Sequence, residues 1–246
     1  MTGIFYFSST GNSLYIAQYI RNKIGGDIRY IPNAKDKISF YDKVIIVSPI
    51  YSFGLPVHTY DFLTSLPSDI KVYLILNYGG MTGGADRFAY ELAMEHGVGL
   101  HAVFTLKMPE NFTLTFTPPR FYSNISIKTA PKKLERIIEA INQDKPAIPK
   151  PKKMKKETYF KNRNNWHLIA ADFSVSDKCV SCAKCVSLCP AGNIELDGGI
   201  HFKDKCIACL GCYHRCPQKA IVYKKRKNKY RYVNPMISEY DIGEDM

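Results

Sequence analysis

All eight cysteines of this 246-residue chain belong to one arrangement that occurs twice. Each copy has three cysteines with two residues between neighbours, and a fourth that follows after three intervening residues and precedes a proline. The copies are Cys179, Cys182, Cys185 and Cys189, and then Cys206, Cys209, Cys212 and Cys216, each 27 positions after its mate. Three thiolates at this spacing let a short loop wrap three corners of an iron–sulfur cubane. The fourth ligand must then come from another part of the chain.

Other uses of eight cysteines fit this pattern less well. A disulfide framework is compatible with the count, but the chain shows no signal peptide and the paired runs argue against it. Zinc sites are usually built from two pairs of ligands, which a run of three cysteines matches poorly. The prolines Pro190 and Pro217 turn the chain away and carry no amide hydrogen that needs a partner. We therefore predict two [4Fe–4S] clusters.

The double run resembles the bacterial two-cluster ferredoxins, in which the fourth cysteine of each run ligates the cluster of the other run. The resemblance implies that one cluster is held by Cys179, Cys182, Cys185 and Cys216. It implies that the second is held by Cys206, Cys209, Cys212 and Cys189. The six histidines show no ligand spacing, and we predict structural roles for them.

The first half of the chain alternates between strand-like and helix-like patterns. Short β-branched and apolar runs predict strands at 3–7, 27–31, 43–48, 71–76 and 100–107. Amphipathic patterns predict helices at 14–20, 57–66, 84–96 and 131–142. Such alternation predicts an α/β fold with a doubly wound, parallel, five-stranded sheet covered by helices on both faces.

Three polar or glycine-rich loops follow predicted strands, at Ser8–Ser13, Pro49–Gly54 and Asn77–Gly84. Ligands bind at the carboxyl ends of the strands in such sheets. A hydroxyl-rich turn at a helix N-terminus predicts a phosphate cradle, because amides and the helix dipole favour an anion there. The loop lacks the lysine of a nucleotide P-loop, which argues against a nucleoside triphosphate. An ordinary helix cap is the alternative for Ser8–Ser13.

The hydroxyl-rich loop resembles the flavodoxin phosphate loop, whose usual form is S/T-x-T-G-N-T/S. With the cysteine runs behind it, the chain resembles ferredoxins that carry an N-terminal flavodoxin domain. The resemblance implies an FMN phosphate held by Ser8, Thr10, Asn12 and Ser13, with help from the amides of Ser9 and Gly11.

The other two loops are then expected to hold the flavin ring. The second loop would flank the isoalloxazine through Pro49, Ile50, Tyr51, Ser52, Phe53 and Gly54. Either Tyr51 or Phe53 would stack on the ring, and Gly54 suits a peptide that must turn over, since glycine accepts either sign of φ. The third loop would approach the ring edge through Asn77, Tyr78, Gly79 and Gly80.

These patterns divide the chain into four predicted segments. They are a flavodoxin-like FMN-binding domain at 1–145, a basic linker at 146–171, a small α+β ferredoxin domain with two clusters at 172–233, and a tail at 234–246. No apolar run approaches the roughly 18 residues of a membrane span, so we expect a soluble, cytoplasmic protein.

The formal net charge of +12 is concentrated in two basic runs, Lys145–Arg163 and Lys219–Arg231. They could be solvated linker or could dock an acidic redox partner. Binding of nucleic acid is disfavoured because prolines interrupt the first run and no recognition module accompanies either run.

The two cofactor types together predict an electron-transfer protein that passes single electrons between two [4Fe–4S] clusters and FMN, and on to a redox protein or a small molecule. The alternative is a flavin-dependent reductase with its own substrate pocket, fed by the ferredoxin half. The segment Met108–Phe112 could line such a pocket. The sequence indicates neither which partner exchanges electrons with the protein nor an oligomeric state.

Overall fold

The computed structural model describes residues 1–34, 38–114, 118–224 and 230–246. Its first part is a five-stranded sheet in which all neighbouring strands run parallel, in the order β2-β1-β3-β4-β5. The strands are β1 (Thr2–Tyr6), β2 (Asp27–Tyr30), β3 (Lys43–Pro49), β4 (Lys71–Tyr78) and β5 (Leu100–Lys107). The predicted parallel α/β sheet is confirmed. Its order reverses between β1 and β3, which is the usual ligand-binding point of doubly wound sheets.

Four helices cover the two faces of this sheet. They are α1 (Asn12–Ile24), α2 (Val57–Thr64), α3 (Ala85–Glu95) and α4 (Arg120–Asn142). The predicted start of the last helix at Pro131 is wrong, because α4 begins 11 residues earlier and carries Pro131 inside it. Ala130 and Leu134, on either side of the proline, are fully buried. Their packing outweighs the roughly 3 kcal/mol cost of an internal proline.

The basic segment that follows α4 is a packed part of the structure. It contains α5 (Lys156–Asn165), followed by a 3₁₀ segment at Trp166–Asp172. The Tyr159 side chain is fully buried, and its hydroxyl donates to the Leu55 carbonyl at 2.8 Å. Lysines of this segment also form ion pairs with acidic residues of α3, namely Lys152 with Asp86 and Lys156 with Glu91. Part of the predicted solvated linker therefore lies against the sheet domain, with its charge compensated.

The cysteine-bearing region consists of short elements. They are β6 (Phe173–Val175), α6 (Lys184–Ser187), β7 (Ile194–Leu196), β8 (Ile200–Phe202), α7 (Gly211–Arg215) and β9 (Ile221–Tyr223). Two antiparallel ribbons form, β6 with β9 and β7 with β8. A small apolar cluster that includes Phe173, Tyr213 and Ile221 fills the space between them. Leu114, from the loop after β5, also packs into this cluster and joins the two halves of the chain.

The last residues of the chain return to the parallel sheet. Met246 exchanges both backbone hydrogen bonds with Ile28 at 2.8 Å, at the open edge of β2. The buried Tyr6 hydroxyl accepts from the Gly243 amide at 2.9 Å and donates to the Glu244 carbonyl at 2.9 Å. Much of the second basic run, at 225–229, lies outside the described residues. None of the described helices is both long and apolar enough to cross a membrane.

We predict that Tyr6→Phe lowers the free energy of unfolding by about 1–2 kcal/mol, because it leaves the Gly243 amide and the Glu244 carbonyl without their buried partner. Tyr122→Phe is the control, because that side chain is exposed on α4 and its change should stay within about 0.5 kcal/mol. Thermal unfolding of preparations with equal cofactor content measures both. Equal midpoints for Tyr6→Phe and wild type would show that the returning segment is not anchored there.

Candidate functional site

A cavity of about 380 Å³ opens at the carboxyl edge of the sheet, where β1, β3 and β4 end. This volume falls within the range of small-molecule pockets, roughly 300–1,000 Å³. Of the predicted flavin-contacting residues, those that line it are Asn12, Pro49, Ile50, Tyr51, Ser52, Phe53, Asn77, Tyr78, Gly79 and Gly80. The remaining predicted residues, Ser8, Ser9, Thr10, Gly11, Ser13 and Gly54, do not line it. The structure therefore brings the second and third loops together around one space, which the first loop reaches at Asn12.

The second loop is a tight two-residue turn. Tyr51 and Gly54 exchange both backbone hydrogen bonds at 3.0 Å. Ser52 and Phe53, between them, have φ values of 49° and 73°. A two-residue hairpin turn requires positive φ at both central positions, which explains the left-handed backbone of these two residues. Gly54 is also required by packing, because a side chain there would overlap the ring of Tyr159.

Tyr51 lies at the centre of the cavity wall. Its ring centroid is 6.0 Å from that of Trp166, in an edge-on arrangement, and its hydroxyl is 3.3 Å from Ser9 Oγ. Burial raises the pKa of Tyr51 well above its ordinary value, and the nearby Cys209 adds to the rise. The phenol therefore stays protonated. Because Phe53, Tyr78, Phe112 and Trp166 also line the cavity, five aromatic residues border the space that a flat ligand would take.

The hydroxyl-rich loop lies at the start of α1 without capping it. The N-cap position is Gly11, at φ 91°, and no side chain makes a cap hydrogen bond there. The first turn of α1 also holds no acidic residue. Ser8 Oγ accepts from the Gly11 amide at 3.0 Å, which closes the turn before the helix. The helix-cap alternative is therefore not realised, and within the described residues no side chain caps the N-terminal amides of α1, which could bind an anion.

Neighbouring loops hold the hydroxyl groups of this segment in place. The Asn77 side-chain amide donates to Ser13 Oγ at 2.8 Å, and that of Asn111 donates to Thr10 Oγ1 at 2.8 Å. Both hydroxyls act as acceptors there and keep their own hydrogen for another acceptor. Ser8 and Ser9 also border a second cleft, of about 780 Å³, on the side of α6. The Ser8–Ser13 loop thus lies between the 380 Å³ cavity and this second cleft.

The eight cysteines gather around two further cavities. One is lined by Cys179, Cys182, Cys185 and Cys216, which we call the outer site. The other is lined by Cys189, Cys206, Cys209 and Cys212, which we call the inner site. Each site combines three cysteines of one run with the fourth of the other. This is the grouping that the ferredoxin resemblance implied.

The 27-residue repeat extends to the backbone conformation. Ser181 and Ala208, equivalent in the two runs, have φ values of 51° and 56°. Ala183 and Leu210, also equivalent, have φ values of 55° and 59°. A non-glycine residue with positive φ is strained by roughly 1–3 kcal/mol and keeps that conformation only where its surroundings impose it. Each run therefore follows the same tightly wrapped path around its cavity.

Backbone amides in both runs donate to cysteine sulfurs. The sulfur of the first cysteine accepts from the residue two positions later, and that of the fourth from the residue four positions later. The four bonds join Ser181 to Cys179 at 3.4 Å, Ala208 to Cys206 at 3.4 Å, Asn193 to Cys189 at 3.2 Å and Ala220 to Cys216 at 3.3 Å. Such bonds stabilise thiolates and help to set cluster potentials.

Burial acts against free thiolates at the inner site. It raises the pKa of Cys209 to about 12 and that of Cys206 and Cys212 above the ordinary range. A bound cation would be needed to deprotonate these thiols near neutral pH. No group of three or more His, Cys, Asp or Glu side chains in the described part of the chain is arranged to hold a metal ion. A [4Fe–4S] cubane holds its four thiolates farther apart than a single metal ion does, so its ligands need not be close enough to share one ion. Each of the two sets of four cysteines would provide the four thiolates that one cubane takes.

The two cysteine sites differ in their surroundings. At the outer site Val180 is 62% exposed, and Cys182 is also exposed. At the inner site Ala208 and Leu210 are buried, and both line the 380 Å³ cavity together with Cys209. The inner site therefore adjoins the cavity at the sheet edge, whereas the outer site faces solvent.

Several residues of the cavity wall were not predicted as site residues. Pro109, Glu110, Asn111 and Phe112 belong to the segment that the sequence offered as a substrate pocket, and they do line the cavity. Met81, Asn162, Trp166, Ala208 and Leu210 were missed, and Cys209 was predicted as a cluster ligand but not as part of this wall. A single tryptophan in a basic segment is a signal that could have identified Trp166. The others come close only through packing between distant parts of the chain.

Comparisons with known proteins find similarity for part of the chain. A family model described as a flavodoxin domain matches residues 3–79, and the chain has a flavodoxin-like domain at its N-terminus. Among solved structures, Fusobacterium nucleatum flavodoxin bound to flavin mononucleotide is 18% identical, with a TM-score of 0.42, covering 58% of this chain and 97% of that one. Two-electron-reduced Megasphaera elsdenii flavodoxin is 20% identical, with a TM-score of 0.38, covering 54% and 99%. A comparison with curated proteins finds no match.

We predict that Gly83→Ala destabilises the protein more than Gly97→Ala does. Both glycines have positive φ, but a methyl group on Gly83 would overlap the Phe53 ring, whereas nothing lies within 4 Å of one on Gly97. Backbone strain costs about 1 kcal/mol in each variant, and displacement of Phe53 adds about 1–3 kcal/mol in the first. Thermal unfolding and the emission of Trp166, the only tryptophan, measure the change. Equal losses in the two variants would contradict the packing of Phe53 against Gly83.

Proposed function

We propose that this protein transfers single electrons between two [4Fe–4S] clusters, bound at the outer and inner cysteine sites, and an FMN bound in the cavity at the sheet edge. One observation carries the proposal: Cys209 of the inner site lines the same cavity as the two loops that follow β3 and β4. One-electron and two-electron centres would thereby share one wall. FMN supplies the chemistry of accepting one or two electrons, and the clusters supply one-electron chemistry.

The cavity has the volume of a small-molecule pocket, and its lining combines the aromatic and polar residues that a flavin would require. Its aromatic residues would contact the ring system, and the Asn77–Gly80 loop would lie at the ring edge. The uncapped start of α1 would bind the phosphate through its free amides and through the hydroxyls of Ser8, Thr10 and Ser13. Asn12 borders both the cavity and the loop, which makes it the point where ring and phosphate sites meet.

The cysteine sites fit iron–sulfur clusters by their donor sets and by their amide-to-sulfur bonds. The outer site, with its exposed Cys182, would exchange electrons with a redox partner protein or a small molecule. The inner site would exchange electrons with the flavin. We expect this order because the contact between the inner site and the cavity is direct, whereas the described structure places no outer-site cysteine in that cavity.

The cofactor content of anaerobically purified protein tests the proposal. We expect about eight iron and eight sulfide per chain, as two four-iron clusters require, together with about one FMN. Iron and flavin are measured separately, so that each half of the proposal has its own result. Protein that binds flavin without iron would leave a flavodoxin-like carrier and remove the clusters. Protein that binds neither on reconstitution would overturn the proposal.

The variants Cys209→Ser and Cys182→Ser, at equivalent positions of the two cysteine runs, test whether the inner or the outer cluster lies nearer the flavin. Each variant should lose about half of the iron, because each removes a ligand of one cluster. Loss of the negatively charged inner cluster should raise the FMN reduction potential more than loss of the outer cluster, since electrostatic interaction weakens with distance. Potentiometric titration of the flavin band measures both variants. A larger shift in Cys182→Ser would reverse the proposed order.

A flavin-dependent reductase is the second candidate, favoured by the wall at Pro109–Phe112. Glu110 places a carboxylate beside the cavity, where its Oε1 accepts from the Phe112 amide at 2.8 Å, and Phe112 is itself exposed. A substrate above the flavin would contact this wall. Glu110→Gln should then lower turnover with an organic acceptor, and it should also raise the FMN potential because it removes a negative charge beside the cavity. Unaltered rates with every acceptor tested would favour the electron carrier.

A further inference from the structure

We propose that Tyr232 and Asn234, which follow the cysteine region, are positioning residues of the FMN phosphate site and act through Asn12. The proposal rests on the proposed FMN site and goes further, since it assigns phosphate recognition to residues far outside the flavodoxin-like domain. The C-terminal segment would thus decide whether the protein prefers FMN over a flavin without phosphate.

The two side chains converge on one atom. The Tyr232 hydroxyl donates to Asn12 Oδ1 at 2.6 Å, and the Asn234 side-chain amide donates to the same oxygen at 3.1 Å. The three residues are buried, with 6%, 1% and 4% of their surfaces exposed for Tyr232, Asn234 and Asn12. Water therefore competes little for these bonds, and removing one donor would leave a buried acceptor partly unpaired.

These bonds orient the Asn12 side chain so that its nitrogen would donate to the FMN phosphate. An asparagine side chain has one oxygen with two acceptor positions and one nitrogen with two hydrogens. Tyr232 and Asn234 occupy both acceptor positions, and the nitrogen gives one hydrogen to the Pro109 carbonyl at 3.0 Å. Within the described part of the chain the second hydrogen of that nitrogen has no acceptor, and the oxygen is already occupied by two donors.

The same segment covers the loop directly. The backbone N–H of Asn234 donates to the Thr10 carbonyl at 2.8 Å. A methyl group on Gly11 would lie 3.1 Å from Asn234 Cβ and 3.3 Å from Ile242 Cδ1. The segment therefore packs against the N-terminus of α1, where a phosphate would be enclosed and its charge would interact strongly with the helix amides.

A histidine between two cysteine ligands fixes the position of Tyr232. His214 Nδ1 accepts from the Tyr232 amide at 3.1 Å, and Nε2 donates to the Asn111 carbonyl at 2.7 Å. Asn111 in turn binds Thr10 through its side chain. Two short chains of hydrogen bonds therefore run from α7 to the loop, one through Tyr232 and one through Asn111. Tyr232 is held in place from the cysteine side.

The test compares FMN with riboflavin, which lacks the phosphate. Flavin is removed from cluster-loaded protein under anaerobic conditions, and each flavin is titrated back while its fluorescence is followed. Tyr232→Phe should weaken FMN binding about tenfold and leave riboflavin binding unchanged, because the lost hydrogen bond acts at the phosphate end. Tyr240→Phe, in the same segment but 76% exposed, is the matched control and should change neither affinity.

A second variant of nearly identical shape keeps the test independent of Tyr232. Asn234→Asp places a carboxylate against Asn12 Oδ1 and near the phosphate, and it should weaken FMN by at least about tenfold while riboflavin changes little. Equal weakening of both flavins in the two variants would show a merely structural role and overturn the inference, as would no change in either. Wild-type protein that binds neither flavin would instead overturn the proposed function itself, and this inference with it.

Discussion

The packing of the Ala208–Leu210 stretch against the carboxyl edge of the parallel sheet is the contact on which the rest of the structure depends. It places Cys209 in the wall of the cavity that the loops after β3 and β4 enclose. Parallel strands make that edge a binding place by themselves. The cysteine region closes one side of it, so that the Cys209 side chain and a cavity lined by aromatic residues become neighbours.

Other contacts keep this arrangement closed. Leu114 joins the apolar cluster of the cysteine region, and Met246 extends the open edge of β2. The basic segment also packs inward, with Tyr159 against Gly54 and Trp166 in the cavity wall. A connection that composition alone describes as a solvated linker therefore forms part of the site. Two halves joined in this way would keep the proposed clusters and flavin at a fixed separation.

Much of the fold and part of the site could be predicted from local patterns. Apolar and β-branched runs identified the five strands, and the resemblance to two-cluster ferredoxins implied the two groups of thiols. The start of α4 was missed because Pro131 is a poor interior residue locally, and only the burial of Ala130 and Leu134 shows why the helix continues through it. The contacts of Cys209 with the cavity and of Tyr232 with Asn12 join residues about 130–220 positions apart, and no local pattern encodes them.

The most direct test of the central claim is the rate at which electrons redistribute within the loaded protein. A light pulse and a photoreductant add less than one electron per chain, and the flavin and cluster absorbances are then followed under anaerobic conditions. Exchange across the shared cavity wall predicts that electrons move between clusters and flavin at a rate that does not change when the protein is diluted. A rate proportional to protein concentration, or no redistribution at all, would contradict the account.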